Sequence, residues 1–397
     1  MTAPQKPLTG IRVLELGGYI SMPMGGALLA ALGADVVKVE SPAGDDFRRR
    51  DDDRSPYFAQ VNAGKRSLAV DLKTTEGLEL VKALLPRYDV VFENMRPGKL
   101  AALGLGPDVC AELNPDLVFA SVNGFGDGGP LRDRPAYDTI GQAYGGLYSI
   151  LGEPGQSQLS GTILADVVTG LTSATGILAA LVGRGRAGGG IRVDTSLYEA
   201  VSILATDALS QYVDTGADPT RTTRHPQAQN FCVPTASGEA IAVHLSSSEK
   251  FWRNLCAAME RPDLLDDPRF TPYRHREANY FALVPIVEAE FAKRSQAEWE
   301  ELLTRFDVPF APVQTMATYI EHPQTEWLEL FEPAAHGMRL LRPPWRFDGT
   351  RPDRGGPTPR IGQHTREVAG EVYDDEQVEK LIALDVLRTA TDEGPPV

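Results

Sequence analysis

The residue best placed to do chemistry is Asp166, a single carboxylate at the head of a long uncharged segment. The segment from Val167 to Val182 contains no charged residue and no proline. It predicts a helix that is apolar nearly all round and therefore buried in a large core. At about 16 residues it falls short of the roughly 20 apolar residues that a membrane-spanning helix needs.

Two interpretations of Asp166 follow from this position. In the first, the carboxylate is a helix N-cap, which accepts hydrogen bonds from free N–H groups and interacts favourably with the helix dipole. In the second, it is a nucleophile or a base held rigidly where the core meets a cleft. The local sequence favours the N-cap, because Asp is a common capping residue. Evidence for a nucleophile has to come from elsewhere in the chain.

The elements that must position this carboxylate begin with a β–loop–α–β pattern. Residues 11–16 (IRVLEL) predict a buried strand, followed by a loop with Gly17 and Gly18, a helix at 24–32 and a second strand at 34–40. This order opens a doubly wound α/β domain with a Rossmann-like sheet. Neither a G-x-G-x-x-G fingerprint nor a P-loop is present, so nicotinamide binding is not predicted.

Further strands are predicted at 67–73, 90–94 and 117–125. Ligands of doubly wound sheets bind at the carboxyl ends of the strands. The loops at 93–98 (ENMRPG) and 123–130 (NGFGDGGP) follow two of these ends and are rich in residues that let backbone approach a ligand. We therefore expect a binding site at this edge of the sheet.

Composition limits the possible partners. The chain of 397 residues has a net charge of −15, which argues against nucleic acid and acidic membrane surfaces. A phosphate-bearing ligand therefore needs a local basic pocket. The charged stretch 45–54 (DDFRRRDDDR) is expected to be a solvated loop.

The cysteines and histidines predict neither disulfides nor a metal site. Cys110, Cys232 and Cys256 are widely spaced, which is typical of buried thiols in a reducing cytoplasm. The six histidines show no ligand spacing, so we expect no metal and no tightly bound cofactor. The N-terminus lacks the apolar segment of a secretion signal, and we expect a cytoplasmic protein.

The chain changes character near residue 214. Residues 214–226 (DTGADPTRTTRHP) predict a linker, and 231–245 predict a β-hairpin with a Ser-Gly turn. An amphipathic helix at 249–259 follows, and Ser295 forms a predicted capping box with Glu298. These features indicate a second, smaller α/β unit.

Taken together, these segments resemble the class III CoA-transferases, the CaiB/BaiF family that includes formyl-CoA transferase and α-methylacyl-CoA racemase. The resemblance covers nearly the whole chain. It rests on short landmarks in the family's order and spacing: LGADVVKVESPAGD (32–45), NAGKRSLAVDLK (62–73), ENMRPG (93–98), GFGDGGPLRDRPAYDTIGQAYGGL (124–147), ADVVTG (165–170), RHP (224–226) and IGQHTREV (361–368). Each landmark is weak singly, and the combination is specific.

The resemblance implies a Rossmann-like large α/β domain, built from both ends of the chain, and a smaller α/β domain between them. The implied division is the N-terminal part of the large domain (1–205), a linker (206–225), the small domain (226–325) and a return segment (326–397) with a last helix at 377–387. The family also implies a homodimer whose two subunits interlock like chain links.

The resemblance further implies roles for individual residues. Asp166 takes the place of the catalytic aspartate and is the implied nucleophile. CoA, or an acyl-CoA, is the implied substrate, with a carboxylic acid as acceptor. The residues implied to contact CoA lie in the loops after the predicted strands: Ile20, Ser21, Val70, Leu72, Lys73, Asn94, Met95, Arg96, Asn123 and Tyr137.

Two departures from the family pattern affect these implied contacts. Where family members often carry an arginine that meets a CoA phosphate, this chain has Ser41, and Arg48, Arg49 or Lys73 are the substitutes that we consider. The glycine loop of formyl-CoA transferase is not matched, since the sequence after RHP reads QAQNF. Formyl-CoA is therefore not supported as the donor.

Transfer of CoA between carboxylic acids exchanges one thioester for another, so the barrier lies in attack on a carbonyl. A carboxylate nucleophile divides the reaction into steps through an aspartyl anhydride and an aspartyl-CoA thioester. Each tetrahedral intermediate needs N–H donors, which glycine-rich loops and a helix N-terminus offer. Because a position at the helix N-terminus also supplies the N–H donors and the field that the intermediates need, the N-cap and nucleophile interpretations of Asp166 are compatible.

Three alternatives stay open. A 2-methylacyl-CoA racemase moves a proton with a His-Asp pair, and this chain has Tyr137-Asp138 at that dipeptide, where tyrosine with a pKa of about 10 is a poor base. The second alternative is a CoA-binding protein without turnover, which would show no acyl transfer. The third is an oxidoreductase, which would reveal bound nicotinamide or flavin in its absorbance spectrum.

For His225 and His364, which lie in landmarks, we expect satisfied structural hydrogen bonds.

Overall fold

In the computed structural model, the chain is described at residues 6–48, 55–153, 155, 156, 158–334 and 337–390. It divides into two compact units. The larger unit comprises Met1–Tyr148, Leu159–Ser210 and Pro323–Val397. The smaller unit comprises Ser149–Gln158 and Gln211–His322.

The strands in chain order are β1 Arg12–Leu16, β2 Asp35–Glu40, β3 Arg66–Val70, β4 Val90–Glu93, β5 Val118–Asn123, β6 Ile191–Ser196, β7 Asn230–Pro234, β8 Ala240–His244, β9 Phe310–Pro312, β10 Phe331–Pro333, β11 Arg339–Leu341 and β12 Leu387–Arg388. The helices in chain order are α1 Ser21–Ala31, α2 Pro56–Asn62, α3 Thr75–Leu84, α4 Lys99–Ala102, α5 Pro107–Leu113, α6 Asp138–Tyr144, α7 Leu147–Leu151, α8 Leu164–Ala187, α9 Leu197–Leu204, α10 Thr206–Thr215, α11 His225–Ala228, α12 Glu249–Ala258, α13 Asp263–Asp266, α14 Tyr273–Ala278, α15 Tyr280–Phe291, α16 Gln296–Arg305, α17 Met316–Ile320, α18 Pro323–Trp327, α19 Thr365–Ala369 and α20 Asp375–Ala383.

The larger unit is built on a seven-stranded sheet in the order β12-β3-β2-β1-β4-β5-β6. Strands β1 to β6 are parallel, and β12 runs antiparallel to β3 at one edge. The order of connection reverses at β1, which pairs with β2 on one side and with β4 on the other. Such a reversal opens a crevice at the carboxyl ends of the central strands. The predicted α/β sheet of Rossmann type is confirmed.

Helices α1 and α8 pack closely through glycines. A Cβ atom at Gly25 would lie 3.0 Å from the carbonyl oxygen of Gly170, and one at Gly170 would lie 2.8 Å from the side chain of Met24. The two backbones therefore approach more closely than larger residues would allow. This contact brings the N-terminal parts of α1 and α8 together at the carboxyl ends of the strands.

Helix α8 spans 24 residues and is longer than its uncharged segment predicted. The expectation that it is buried all round is wrong, because Leu171, Thr175, Ala179 and Val182 form an exposed stripe along one side. The sequence predicted an uncharged segment too short to cross a membrane. The helical segment Leu164–Arg186 is long and apolar enough to do so. Its other face packs against α1, β5 and β6, as in the core helix of a folded unit.

The smaller unit has a three-stranded antiparallel sheet in the order β7-β8-β9. The predicted hairpin is confirmed as β7 and β8, and its turn contains Gly238 at a φ of 96°. The predicted capping box of Ser295 and Glu298 is confirmed at the start of α16. The core of this unit includes a stacked pair formed by Phe291 and Trp299, whose ring centroids lie 4.2 Å apart.

Three predicted boundaries differ from the structure. Residues 206–225, predicted to be a linker, begin with the helix α10, whose apolar residues recur at helical spacing despite a polar composition. The last helix ends at Ala383 instead of 387, and Leu387 belongs to β12. The strand predicted at 67–73 ends at Val70, since Asp71 begins a turn.

Candidate active site

A cavity of about 440 Å³ lies in the larger unit at the carboxyl ends of β1, β4 and β5. Most of the residues that the sequence selected line this cavity: Asp166, Ile20, Ser21, Asn94, Met95, Arg96, Asn123 and Tyr137. They come from the loops after the three strands, from α6 and from the start of α8. The strand-order reversal thus brings residues more than a hundred positions apart into one crevice.

Asp166 is the third residue of α8 and not its N-cap. The N-cap is Ile163, which makes no side-chain capping bond. Among the residues that the structure describes, none donates a hydrogen bond to the Asp166 carboxylate, which faces the cavity. The interpretation of Asp166 as a helix cap is therefore wrong, and its carboxylate is available to a ligand.

The start of α8 is capped instead by Asp138, from the first turn of α6. Its Oδ1 accepts hydrogen bonds from the backbone N–H groups of Ala165 and Asp166, at 2.9 and 3.1 Å. Its Oδ2 accepts a hydrogen bond from Gln142 Nε2 at 2.6 Å, and the same amide donates to the Thr162 carbonyl at 2.8 Å. These bonds hold the helix start, and Asp166 with it, in one position.

The environment of Asp166 makes its carboxylate unusually basic. Burial raises the pKa of Asp166 to about 7, and the charge of Asp138 adds to the increase. A group in this state is ionised only from neutral pH upwards, and its ionised form is poorly solvated. High basicity and poor solvation of the ionised form favour attack of the carboxylate on an electrophilic carbon, and the need for ionisation confines this attack to neutral pH and above.

The loop between β1 and α1, which supplies Ile20 and Ser21, is held by Asn94. The Asn94 Oδ1 accepts the N–H of Gly18 at 3.2 Å, and its Nδ2 donates to the Gly18 carbonyl at 2.8 Å. A Cβ atom at Gly17 would lie 1.9 Å from Asn94 Oδ1, so only glycine fits there. Since both ends of the Asn94 amide are engaged, this side chain positions the loop.

A buried set of charges lies beneath the same loop. Lys38 is fully buried, donates to the Gly17 carbonyl at 2.9 Å and pairs with Asp45 at 2.8 Å. Burial by itself would raise the pKa of Asp45, but the neighbouring Lys38 lowers it below its ordinary value. Glu15 binds Lys65 at 2.7 Å, and burial lowers the pKa of Lys65 to about 8 although Glu15 opposes this. Each buried charge thus has a partner of opposite sign.

The prediction of a solvated loop at 45–54 is wrong for its first residues. Asp45 is engaged with Lys38, and Arg48 is buried. The Arg48 guanidinium pairs with the Glu40 carboxylate at 2.7 Å, and its Cζ atom lies 4.0 Å from the ring centroid of Phe58. Because these neighbours engage it, Arg48 cannot take the role of a CoA phosphate ligand. Arg49 and the rest of the stretch lie outside the described residues.

Other predicted CoA contacts lie away from the cavity. Val70 is buried in the core of the larger unit, so its side chain is not accessible to a ligand. Leu72 packs against the same core, and Lys73 is exposed beyond the end of β3. The residues 70–73 do not line the cavity that contains Asp166.

Several cavity residues were missed by the sequence analysis: Tyr19, Phe47, Arg132 and Arg134. The two arginines precede Tyr137 in the landmark LRDRPAYD, and their position in a loop beside predicted site residues was the available signal. Arg96 and Arg134 bring positive charge to the cavity, whereas Arg132 is paired with Asp127 at 3.6 Å and with Asp133 at 3.0 Å. The same signal was available for Tyr19, which directly precedes the predicted site residues Ile20 and Ser21.

The described histidines lie outside this cavity. The Nδ1 atom of His364 accepts the N–H of Ser67 at 3.1 Å, which confirms its predicted structural role. His225 lines a separate cavity of about 700 Å³ in the smaller unit, together with Arg221 and Tyr280. No hydrogen bond to its imidazole is found among the described residues, and its ring lies 6.4 Å from that of Tyr280, centroid to centroid, so the structural role predicted for His225 stays a prediction.

The cysteines differ in exposure. Cys110 and Cys256 are buried as predicted, and burial raises the pKa of each thiol to about 12. Cys232 is exposed, contrary to prediction, because it lies on the outer face of β7. Within the described ranges there is no cluster of three or more His, Cys, Asp or Glu residues suited to a metal ion.

Comparison with known proteins agrees with this arrangement. The model of CoA-transferase family III matches residues 8–365. A succinyl-CoA:mesaconate CoA-transferase of Haloarcula hispanica is 36% identical, over 92% of this chain and 96% of its own length. A succinyl-CoA:glutarate CoA-transferase of Mus musculus is 31% identical, over 96% of this chain and 90% of its own length.

Solved structures give the same result. A CAIB/BAIF family protein from Brucella suis superposes with a TM-score of 0.81 at 32% identity, over 93% of this chain and all (100%) of its own. The match of a family model over most of the length, the names of the relatives and the common fold lead to one conclusion. The chain belongs to CoA-transferase family III, the CaiB/BaiF family, and is an enzyme that transfers CoA from an acyl-CoA to a carboxylic acid.

Proposed function

We propose that the enzyme transfers CoA through covalent intermediates on Asp166. The observation that carries the proposal is the state of this carboxylate. It faces the cavity, accepts no hydrogen bond from the described residues and has a pKa raised to about 7. A buried carboxylate that only supported the structure would be expected to have hydrogen-bond partners.

The first half of the reaction releases the donor acid. An Asp166 oxygen attacks the carbonyl carbon of the acyl-CoA, a C–O bond forms, the C–S bond breaks, and CoA leaves as a thiolate. The product on the enzyme is a mixed anhydride. The thiolate then attacks the aspartyl carbonyl carbon, which gives an aspartyl-CoA thioester and releases the donor acid as its carboxylate.

The second half repeats these steps in reverse with the acceptor. The acceptor carboxylate attacks the aspartyl-CoA thioester, which forms a second mixed anhydride and again releases the CoA thiolate. Attack of the thiolate on the acceptor carbonyl gives the new acyl-CoA and restores the Asp166 carboxylate. No proton has to be transferred in either half, so no general base is required.

Donors for the oxyanions are proposed at the start of α1. The N–H groups of Ser21 and Met22 belong to the first turn of this helix, where the helix itself provides no acceptor. The start of α8 offers fewer free N–H donors for an oxyanion than the sequence suggested, because Asp138 accepts hydrogen bonds from the N–H groups of Ala165 and Asp166. The helix dipole of α1 adds a favourable field at the same place.

A dicarboxylic acid is the acceptor class that we propose. The relatives described above are named for succinyl-CoA with mesaconate or glutarate. Arg96 and Arg134, which line the cavity, supply positive charge for the phosphates of CoA and for carboxylates. A mass-spectrometric screen of acyl-CoA donors against carboxylic acids identifies the pair, and succinyl-CoA with glutarate or mesaconate is the first set to test.

We further propose that the enzyme is an interlocked homodimer of the cytoplasm. Support comes from exposed apolar side chains on α8 and α9: Leu171, Val182, Tyr198, Ile203 and Leu204. An apolar surface of this kind is typical of a protein interface. Sedimentation at low protein concentration tests the assembly, and a stable folded monomer contradicts it.

Covalent trapping tests the catalytic role of Asp166. Hydroxylamine or borohydride added during turnover should modify the activated carboxyl, and peptide mapping should place the mass change on the peptide that contains Asp166. Asp166→Asn retains the size of the side chain and should fold, bind CoA and show negligible transfer. An Asp166→Asn variant that keeps most of its transferase rate excludes the nucleophile.

A further inference from the structure

Tyr19 has a backbone conformation that tyrosine rarely adopts. Its φ is 66°, in the left-handed region that favours glycine, and it follows Gly17 and Gly18 in the loop between β1 and α1. A bulky residue in this region is strained, and such strain persists only where the surrounding structure enforces it. The loop therefore retains a strained tyrosine at a position where a third glycine would fit without strain.

Three neighbours hold the Tyr19 side chain in place. Its hydroxyl donates to Asp46 Oδ2 at 2.9 Å. Its ring packs edge-on against Phe47, with centroids 5.6 Å apart, and against Tyr137, with centroids 5.4 Å apart. Tyr19 is 37% exposed and lines the cavity, so the residue is accessible to a ligand there.

The ring lies in the same cavity as the Asp166 carboxylate. Tyr19, Phe47 and Tyr137 line the cavity together with Asp166. Tyr137 immediately precedes Asp138, which binds the backbone N–H of Asp166 at 3.1 Å. The aromatic group is thus linked to the proposed nucleophile through Tyr137 and Asp138, and it takes up space in the cavity of about 440 Å³ that Asp166 also lines.

We propose that Tyr19 determines the size of the acyl group and of the acid that the enzyme accepts. Because its hydroxyl is bound to Asp46, Tyr19 acts on the substrate through the volume of its ring. Short, narrow acids fit beside the ring, and longer or aromatic acids collide with it. This proposal rests on the proposed transfer through Asp166, since it takes the reacting carbonyl to lie next to that carboxylate.

The test is the exchange of an isotopically labelled acid into its own CoA ester. Succinyl-, hexanoyl- and phenylacetyl-CoA are each incubated with their labelled acid, so that no unknown acceptor is needed. The readouts are kcat/KM for each pair and the midpoint of thermal unfolding. Asp166→Asn is included as the variant that abolishes exchange of every acid.

Tyr19→Gly removes the ring and allows the left-handed conformation without strain. We expect the ratio of kcat/KM for hexanoyl or phenylacetyl exchange to that for succinyl exchange to rise at least about tenfold, the lower end of what one methylene group changes in an apolar pocket. The unfolding temperature reports two opposed effects, since the variant relieves the strain at this φ and loses the contacts with Asp46, Phe47 and Tyr137. Tyr19→Phe keeps the ring and should leave the ratio within about threefold of the wild type.

A matched control is Asp385→Gly. Asp385 also has a left-handed conformation, with a φ of 55°, and lies exposed between α20 and β12, outside the cavity. Asp385→Gly also relieves a left-handed conformation, and it should leave the ratio of kcat/KM values unchanged.

Two results overturn the proposal about Tyr19. One is a ratio that Tyr19→Gly leaves unchanged, or an equal loss for all three acids. The other is a change in Tyr19→Phe as large as that in Tyr19→Gly, which would assign the effect to the hydroxyl. Exchange that persists in Asp166→Asn contradicts the proposed function instead, so the two failures are distinguishable.

Discussion

The Oδ1 atom of Asp138 lies 3.1 Å from the backbone nitrogen of Asp166, 28 residues further along the chain, and accepts its N–H. One carboxylate thereby has two effects on another. By capping α8 it fixes the position of Asp166, and by its negative charge it adds to the burial that raises the pKa of the Asp166 side chain. Because Asp138 caps the helix, the side-chain carboxylate of Asp166 accepts no hydrogen bond from the described residues.

The first prediction concerns the pH dependence of transfer. In the proposed mechanism the reactive form of Asp166 is the carboxylate, and the pKa of this group is raised to about 7. The rate of the chemical step should therefore fall by about tenfold per pH unit below 7 and level off above it. Single-turnover rates with saturating acyl-CoA from pH 5.5 to 9 measure this profile, and a constant rate down to pH 5.5 contradicts it.

Asp138→Asn should move this profile towards lower pH. The substitution removes the charge that contributes to the raised pKa of Asp166 and keeps an oxygen that can accept the N–H groups of α8. Asp138→Ala also removes the cap and should lose about 1 kcal/mol of stability. The pH profiles and unfolding curves of both variants separate the two effects. An unchanged profile in Asp138→Asn would show that burial alone sets the pKa.

Asp166→Asn should stabilise the protein at alkaline pH. A carboxyl whose pKa is higher in the folded state than in the unfolded state contributes stability at low pH, and this contribution is lost as the pH rises through the folded pKa of about 7. The variant should match the wild type near pH 4 and exceed its stability at pH 8 by roughly 1–3 kcal/mol. Denaturant unfolding at both pH values measures the difference. Lower stability of Asp166→Asn at both values would restore the N-cap interpretation.

Asn94→Ala should reduce both catalysis and stability. The variant loses both hydrogen bonds to Gly18, which costs roughly 1–3 kcal/mol of stability, and frees the loop that carries Ile20 and Ser21. We expect kcat to fall at least about tenfold, as for misplaced catalytic groups. Asn114→Ala is the control, since its amide also donates to two backbone carbonyls but lies away from the cavity. Equal kcat losses in both variants would refute a positioning role.

Exchange of an α-proton should be absent or slow. The racemase chemistry of the family needs a histidine at the position of Tyr137, and no described histidine lines the cavity. Incubation of a 2-methylacyl-CoA with the enzyme in deuterated water, followed by mass spectrometry, measures the exchange. Rapid deuterium uptake at the α-carbon would favour the racemase over the transferase.

Much of the fold follows from local patterns in the sequence. The apolar strands, the glycine loops after them and the long helix behind Asp166 were recognisable because side-chain periodicity depends only on neighbouring residues. The rule that ligands bind at the carboxyl ends of parallel strands then selected the loops that line the cavity. Asp166 itself was identified by its place in the landmark ADVVTG, which a local pattern also provides.

The tertiary structure decided how these residues are used. Asp138 caps α8 from 28 residues away, and only packing determines that it does so in place of Asp166. The Arg48 side chain pairs with Glu40, because a buried guanidinium requires a partner of opposite charge. The charged stretch 45–54, which the sequence predicted to be a solvated loop, is therefore partly buried. The sequence by itself thus determines the elements and the candidate groups. Their hydrogen bonds, burial and pKa values depend on neighbours that are distant along the chain, and only the folded structure brings those neighbours together.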